Sequence, residues 1–361
     1  MSKTGSVPWG SCGPSNREQT WFCASRTDPT NQAERHVPPS PSIRMRIEAM
    51  TDIEVQESYT DHDGGEFSAL DVRVVATWPA PTFVENLAID PAGAIFVSLY
   101  SHNRVDRYDP ATGAAAPFTD LPAPPVGLAF DADGSLWATG GTFRKGPGYI
   151  WKIGPDRSVQ HWTNLPDAVF MNGCTLHPNG HTLLACESLT GRILAIDLRE
   201  PGRWSAWLTD ERLKPNHPQF PGANGIKIRD GSAWISVSGR RLILRTPLQP
   251  DGHAGPIETA ATHVLADDFA FGASGSLYIA THPEQTVFRL DAAGNRTTVA
   301  GPKQGAVGTT ACAFGRAPGD ENVLYVTTDG GLVAPYEGAV QEAKLLRLEV
   351  GEAGWPLIEQ A

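Results

Sequence analysis

From Val72 onward the chain alternates apolar and polar residues in short runs, each closed by a glycine-containing turn. Six such runs are A-I-F-V-S-L-Y, S-L-W-A-T, T-L-L-A-C, S-A-W-I-S-V, S-L-Y-I-A-T and V-L-Y-V-T-T. A period of two is the mark of strands half buried in a sheet. Before each run stands another apolar stretch and a turn: L-A-I-D-P-A-G, L-A-F-D-A-D-G, C-T-L-H-P-N-G, I-K-I-R-D-G, F-A-F-G-A-S-G and C-A-F-G-R-A-P-G. One hairpin therefore occurs six times. A third strand follows each copy, as in R-V-D-R-Y-D-P and Y-I-W-K-I-G-P, mostly with a turn and a weaker fourth.

The repeat length is about 41 to 52 residues. With four strands per unit and no helical pattern between units, that spacing predicts an all-β, six-bladed β-propeller of four-stranded antiparallel blades over residues 69–361. A β-sandwich does not require the same hairpin six times in phase. Arg73 to Trp78, ahead of the first hairpin, is expected to supply the outer strand of the last blade and so protect the sheet edges. Residues 1–68 carry Ser, Pro, Asn, Gln, Thr and Gly in irregular order, the composition of a disordered leader with at most a short element near Ile47.

Charge removes some function classes. The formal net charge of −11 leaves no basic stripe to track phosphates, which argues against nucleic acid. No apolar run approaches the roughly 20 residues of a membrane-spanning helix, and the start lacks a secretory signal's apolar stretch, so a cytoplasmic address with no membrane partner is expected. Five scattered cysteines make no disulfide framework. Cys174 and Cys186 flank one hairpin and could be neighbours; reduced core thiols are the expectation.

Superposing the hairpins on the residue that opens their turn places Glu85, Val126, Asn172, Asn224, Asp267 and Thr310 at one position, five residues earlier. The innermost strands of a propeller line its axis, so these six residues should form a ring. Asn and Asp also begin strands simply to bond nearby backbone. Four oxygen-bearing side chains in one repeat phase are not demanded by turn chemistry. Two carboxylates and two amides make a hard, all-oxygen set suited to a divalent cation such as Ca2+, where zinc would call for His or Cys.

The pattern E-N-L, N-G, N-G-I and D-D-F at matching places in blades one, three, four and five resembles the SMP-30/gluconolactonase superfamily, whose relatives include regucalcin, diisopropyl fluorophosphatase and the paraoxonases. The resemblance covers roughly residues 70 to 350. It implies a cation held by Glu85, Asn172, Asn224 and Asp267 and hydrolysis of a lactone or related ester, with Asp268 a further candidate beside Asp267. Sugar-lactone members carry R-x-N-D-G at the blade-three ligand; here F-M-N-G puts Phe170 in place of the Arg and Gly173 in place of the Asp. A substrate less polar than a sugar lactone is expected.

Loops after the second strands should surround the mouth of the metal site, which nominates His102, Phe143, Arg144, Glu187, His282 and Asp329 as pocket residues. Asp267 is the first candidate for the general base, by resemblance, and His282 the second. The Pro-rich insertion K-P-N-H-P-Q-F-P-G-A, with His217 and Phe220, reads either as a lid over the mouth or as a surface excursion. Two other readings stay open: a metal-independent or repurposed propeller enzyme of the strictosidine-synthase-like, condensing kind, and a non-catalytic calcium-binding propeller.

Overall fold

The computed structural model describes residues 70–355. The leader expected over 1–68 lies outside the described residues. Six four-stranded antiparallel sheets follow one another along the chain, and the last takes its outer strand from the beginning, so the structure is the expected six-bladed propeller. The closing strand Val72–Trp78 runs antiparallel to Ala343–Glu349, with Val72 opposite Leu348 and Trp78 opposite Ala343. Trp78 then reaches into blade one, where its indole N–H donates to Asp106 (2.9 Å). Sealing the ring from both chain ends leaves no unpaired sheet edge between first and last blades. Among the described residues no helix is long and apolar enough to cross a membrane.

Five of the inner strands break register where they meet the axis. Shifts fall between Val84 and Asn86, Pro125 and Leu128, Met171 and Cys174, Ala223 and Ile226, and Thr309 and Ala311. Each bulge brackets an axial residue: Glu85, Val126, Asn172, Asn224 or Thr310. A bulge inserts one residue and re-aims a side chain. Hydroxyls of the second strands absorb the backbone groups thus freed. Ser98, Thr139 and Ser236 accept from the N–H of Asn86, Gly127 and Gly225 and donate to the carbonyls of Val126, Asn172 and Asp267 in the next blade.

These junctions also explain the glycine after Asn172. A Cβ at Gly173 would stand 2.6 Å from the carbonyl oxygen of Asn224, so close approach of neighbouring blades, rather than a turn, requires glycine there. An Asp side chain at this place has no room. Cys174 and Cys186 pack in different apolar clusters and remain free thiols, as expected.

Candidate functional site

Glu85, Asn172, Asn224 and Asp267, from four blades, line one pocket at the axis, and all four are buried. The pocket spans about 610 Å³, a figure that includes the open solvent at its mouth. Its walls are Phe83, Tyr100, Phe143, Phe170, Phe220, Pro221, Pro283 and Val333, with Gln219 and His282 adding polar atoms. Phe143 and Phe170 meet edge to face at 5.0 Å, and the Phe143 N–H donates to the Tyr100 hydroxyl (3.0 Å). The remaining two axial residues do not line the pocket. Val126 joins the aromatic cluster, and Thr310 donates to the Val84 carbonyl (2.8 Å), tying blade six to blade one.

The polar floor is electrostatically unfinished. Glu85 accepts no hydrogen bond among the described residues. Its burial, then the charges of Asp267 and Asp268, push its pKa well above the ordinary carboxylate value, against a weaker pull from Lys227. Asp267 is raised to about 7, chiefly by burial; the charge of His282 and the hydrogen bond from Asn224 pull it down, and Asp268 pushes it up. A buried, unpartnered carboxylate beside a second one is the arrangement that a cation stabilises. The donor set therefore fits a hard divalent ion: two carboxylates and two amides, with no sulfur or imidazole among them. Among the described residues no group of three or more His, Cys, Asp or Glu side chains is placed to hold a metal ion, so a cation at this floor would also need the amide oxygens of Asn172 and Asn224.

A linkage prediction follows. Both carboxyls bind protons more tightly in the fold than in the unfolded chain. Their stabilising contribution is thus complete below the ordinary carboxylate range near pH 4 and is lost as pH rises through their raised values, up to about 7 for Asp267. The EDTA-treated protein should lose about 5 °C in Tm between pH 5 and 8, Ca2+ should restore it at pH 8, and Asp267→Asn should flatten the apo profile. Thermal melts across that range with and without Ca2+ check this.

His282 stands in the wall, edge-on to Phe83 at 5.5 Å, and its Nε2 pairs with Asp329 Oδ2 at 3.0 Å. Burial lowers its pKa, but the charge and hydrogen bond of Asp329 and the charge of Asp267 more than offset this, and the net shift is upward. Asp329 is fully buried behind the ring, its Oδ1 accepting from the Gly331 N–H (2.7 Å). It holds the histidine and does not line the pocket.

The other nominated residues divide. Phe143 and Phe170 are walls, as expected. Glu187 is not a pocket residue: its carboxylate accepts from the N–H groups of Val169 (3.0 Å), Phe170 (3.1 Å) and Thr190 (2.6 Å), so it fastens the loop that presents Phe170. Asp268 turns away from the pocket, as strand alternation would have it, and is held by Lys227 Nζ at 2.7 and 2.8 Å. His102 is exposed and bonded to Ser101, and Arg144 is exposed over the Phe143 ring. Neither lines the pocket. Of the Pro-rich insertion, Gln219, Phe220 and Pro221 form part of the wall, while exposed His217 stands edge-on to the Phe220 ring and its Nδ1 accepts from the Gln219 N–H (3.3 Å). Phe83, Gln219, Pro221, Pro283 and Val333 had no signal in the repeat, because they lie on connections whose paths the hairpin phase does not specify; Tyr100 ends the first blade's run A-I-F-V-S-L-Y but stands one residue past the strand, in a turn.

No protein-family model matches the chain. A curated protein from Phoma sp., described as a putative hetero-Diels-Alderase, is 23% identical over 309 residues, 71% of this chain and 86% of that protein. Among solved structures, luciferin-regenerating enzyme superposes with a TM-score of 0.62 at 14% identity, over 80% of this chain and 99% of its own. Regucalcin from Agrobacterium tumefaciens, described as a calcium-binding protein, does so at 0.57 and 19%, over 80% and 97%. These two structures belong to the superfamily that the axial residues resemble, and the chain shares their fold.

Proposed function

We propose that the chain is a divalent-cation-assisted hydrolase of an apolar, aromatic lactone or ester. The observation that carries this reading is the unpartnered Glu85 carboxylate, converging with Asp267 and two amides at the floor of an aromatic pocket. Regucalcin's description as a calcium-binding protein supports Ca2+ as the ion. Glu85, Asn172, Asn224 and Asp267 would hold it, and when bound it supplies polarisation of the substrate's carbonyl oxygen. The aromatic walls orient a flat ring and exclude bulk water. His282 is the better base. Asp267 is committed to the floor by Asn224, whereas His282 has Nε2 secured by Asp329 and leaves Nδ1 to take a proton from the attacking water. As the acyl carbon–oxygen bond breaks, the same imidazolium returns the proton to the departing oxygen.

The walls decide substrate class. Outside the floor and His282, Gln219 is the one side-chain amide lining the pocket, so most hydroxyls of a bound sugar would lose water without replacement. With Ca2+ present, kcat/KM for dihydrocoumarin should exceed that for glucono-1,5-lactone by at least about tenfold, one mismatched buried polar group costing roughly 1–3 kcal/mol. Faster turnover of gluconolactone than of every aromatic lactone tried would overturn the assignment.

A second reading is favoured by the Phoma relative's description: a cyclisation in the same aromatic pocket. The two separate by mass, because a cyclised product is an isomer of its substrate and a hydrolysed one gains a water.

A further inference from the structure

Two serines just beyond the second strands of blades three and four contact the floor amides in the same way. Ser188 Oγ donates to the carbonyl of Ala223 (2.6 Å) and lies 3.2 Å from Asn172 Nδ2. Ser238 Oγ donates to the carbonyl of Ala266 (2.7 Å) and lies 2.9 Å from Asn224 Nδ2. Both serines are buried. A hydroxyl has one proton, and a peptide carbonyl can only accept. With that proton committed to the carbonyl, the serine oxygen faces the amide as an acceptor, so it must meet the NH2 end. Each serine therefore selects nitrogen at its side of the amide, acting with the Gly173 N–H, which donates to Asn172 Oδ1 (3.0 Å), and with Asp267, which accepts from Asn224 Nδ2.

We propose that Ser188 and Ser238 are positioning residues that lock the Asn172 and Asn224 amides with their oxygens available to a cation; the proposal rests on the reading of the floor as a cation site. The contacts also form a relay. Ser188 joins Asn172 to the backbone beside Asn224, and Ser238 joins Asn224 to the backbone beside Asp267, so three ligands from three blades are registered by two hydroxyls. Blade one shows the contrast. At the matching place it carries Tyr100 in place of a serine, and its axial residue Glu85 is a carboxylate with two equivalent oxygens that needs no such choice. Without the serine hydroxyl the Asn172 amide retains the Gly173 N–H and the Asn224 amide retains Asp267, a weaker hold on which end meets a cation.

The test is Ca2+ titration by calorimetry on the full chain, freed of metal with EDTA, for the wild type, Ser188→Ala, Ser238→Ala and Ser238→Thr. Each alanine variant should bind Ca2+ about 10- to 100-fold more weakly, the usual effect of losing a partner of a ligand. Ser238→Thr, which keeps the hydroxyl, should stay within about threefold of the wild type if the proposal holds. Selective 15N-asparagine labelling reads the lock without calcium: one side-chain NH2 pair should lose its protection from solvent exchange in each alanine variant, a different pair in each. A wild type that binds Ca2+ with alanine variants that bind equally well overturns this proposal alone. A wild type that takes up no divalent cation overturns the cation reading itself, and this proposal with it.

Discussion

Asp267→Asn is expected to weaken Ca2+ binding about a hundredfold or more and to lower lactone turnover by a comparable factor. The substitution removes one of the two carboxylates at the floor and leaves Glu85 alone with three amides. Its amide oxygen still accepts from the Asn224 NH2 that now donates to Asp267 Oδ1, so the change is one of charge. Glu85→Gln should weaken Ca2+ to a similar degree by a simpler route, since Glu85 accepts no hydrogen bond that the change would disturb. Without Ca2+ the two variants should differ from the wild type in the opposite sense: each removes a buried like-charge neighbour and should raise Tm at pH 8. Loss of affinity together with gain of apo stability is the signature of a ligand. A residue needed only for folding would lose both.

What could be read from the residues alone follows from what repeats. The hairpin recurs, so its strands, its blade count and the shared phase of Glu85, Asn172, Asn224 and Asp267 are visible in a single sequence, and the strand Val72–Trp78 closes the ring because its alternation stands outside any hairpin. The loops do not repeat, and inference weakens there. Placing His102, Arg144 and Glu187 near the mouth followed from antiparallel geometry, which says which end of a blade a loop occupies but not whether its side chains turn inward. Glu187 turns back onto three backbone N–H groups, and His102 and Arg144 turn out to solvent. Asp268 was nominated by its neighbour, and Lys227, 41 residues earlier, decides its partner. Gly173 and the two serines were in plain view at fixed offsets. Their meaning depends on the distance between blades, a quantity no linear pattern contains.

His282→Gln is expected to reduce kcat by about 10²- to 10⁴-fold, the usual contribution of a positioned general base, while Ca2+ affinity stays within a factor of about three because no floor ligand is touched. The sharper experiment is Asp329→Asn. Asp329 Oδ1 accepts from the Gly331 N–H at 2.7 Å, and that donor is buried. An asparagine there keeps its oxygen toward Gly331 and so turns its NH2 to His282 Nε2. A donor facing Nε2 requires that nitrogen to be bare, which moves the single proton of the neutral ring to Nδ1. The histidine then has the wrong tautomer and cannot accept a proton from water on the pocket side. Turnover in Asp329→Asn should therefore fall nearly as far as in His282→Gln, with KM changed little, and the double variant should be no worse than the worse single one. Imidazole 15N shifts report the tautomer directly, with Nε2 protonated in the wild type and Nδ1 in the variant. Full activity in Asp329→Asn with the tautomer reversed would remove His282 from the reaction and return the role of base to Asp267.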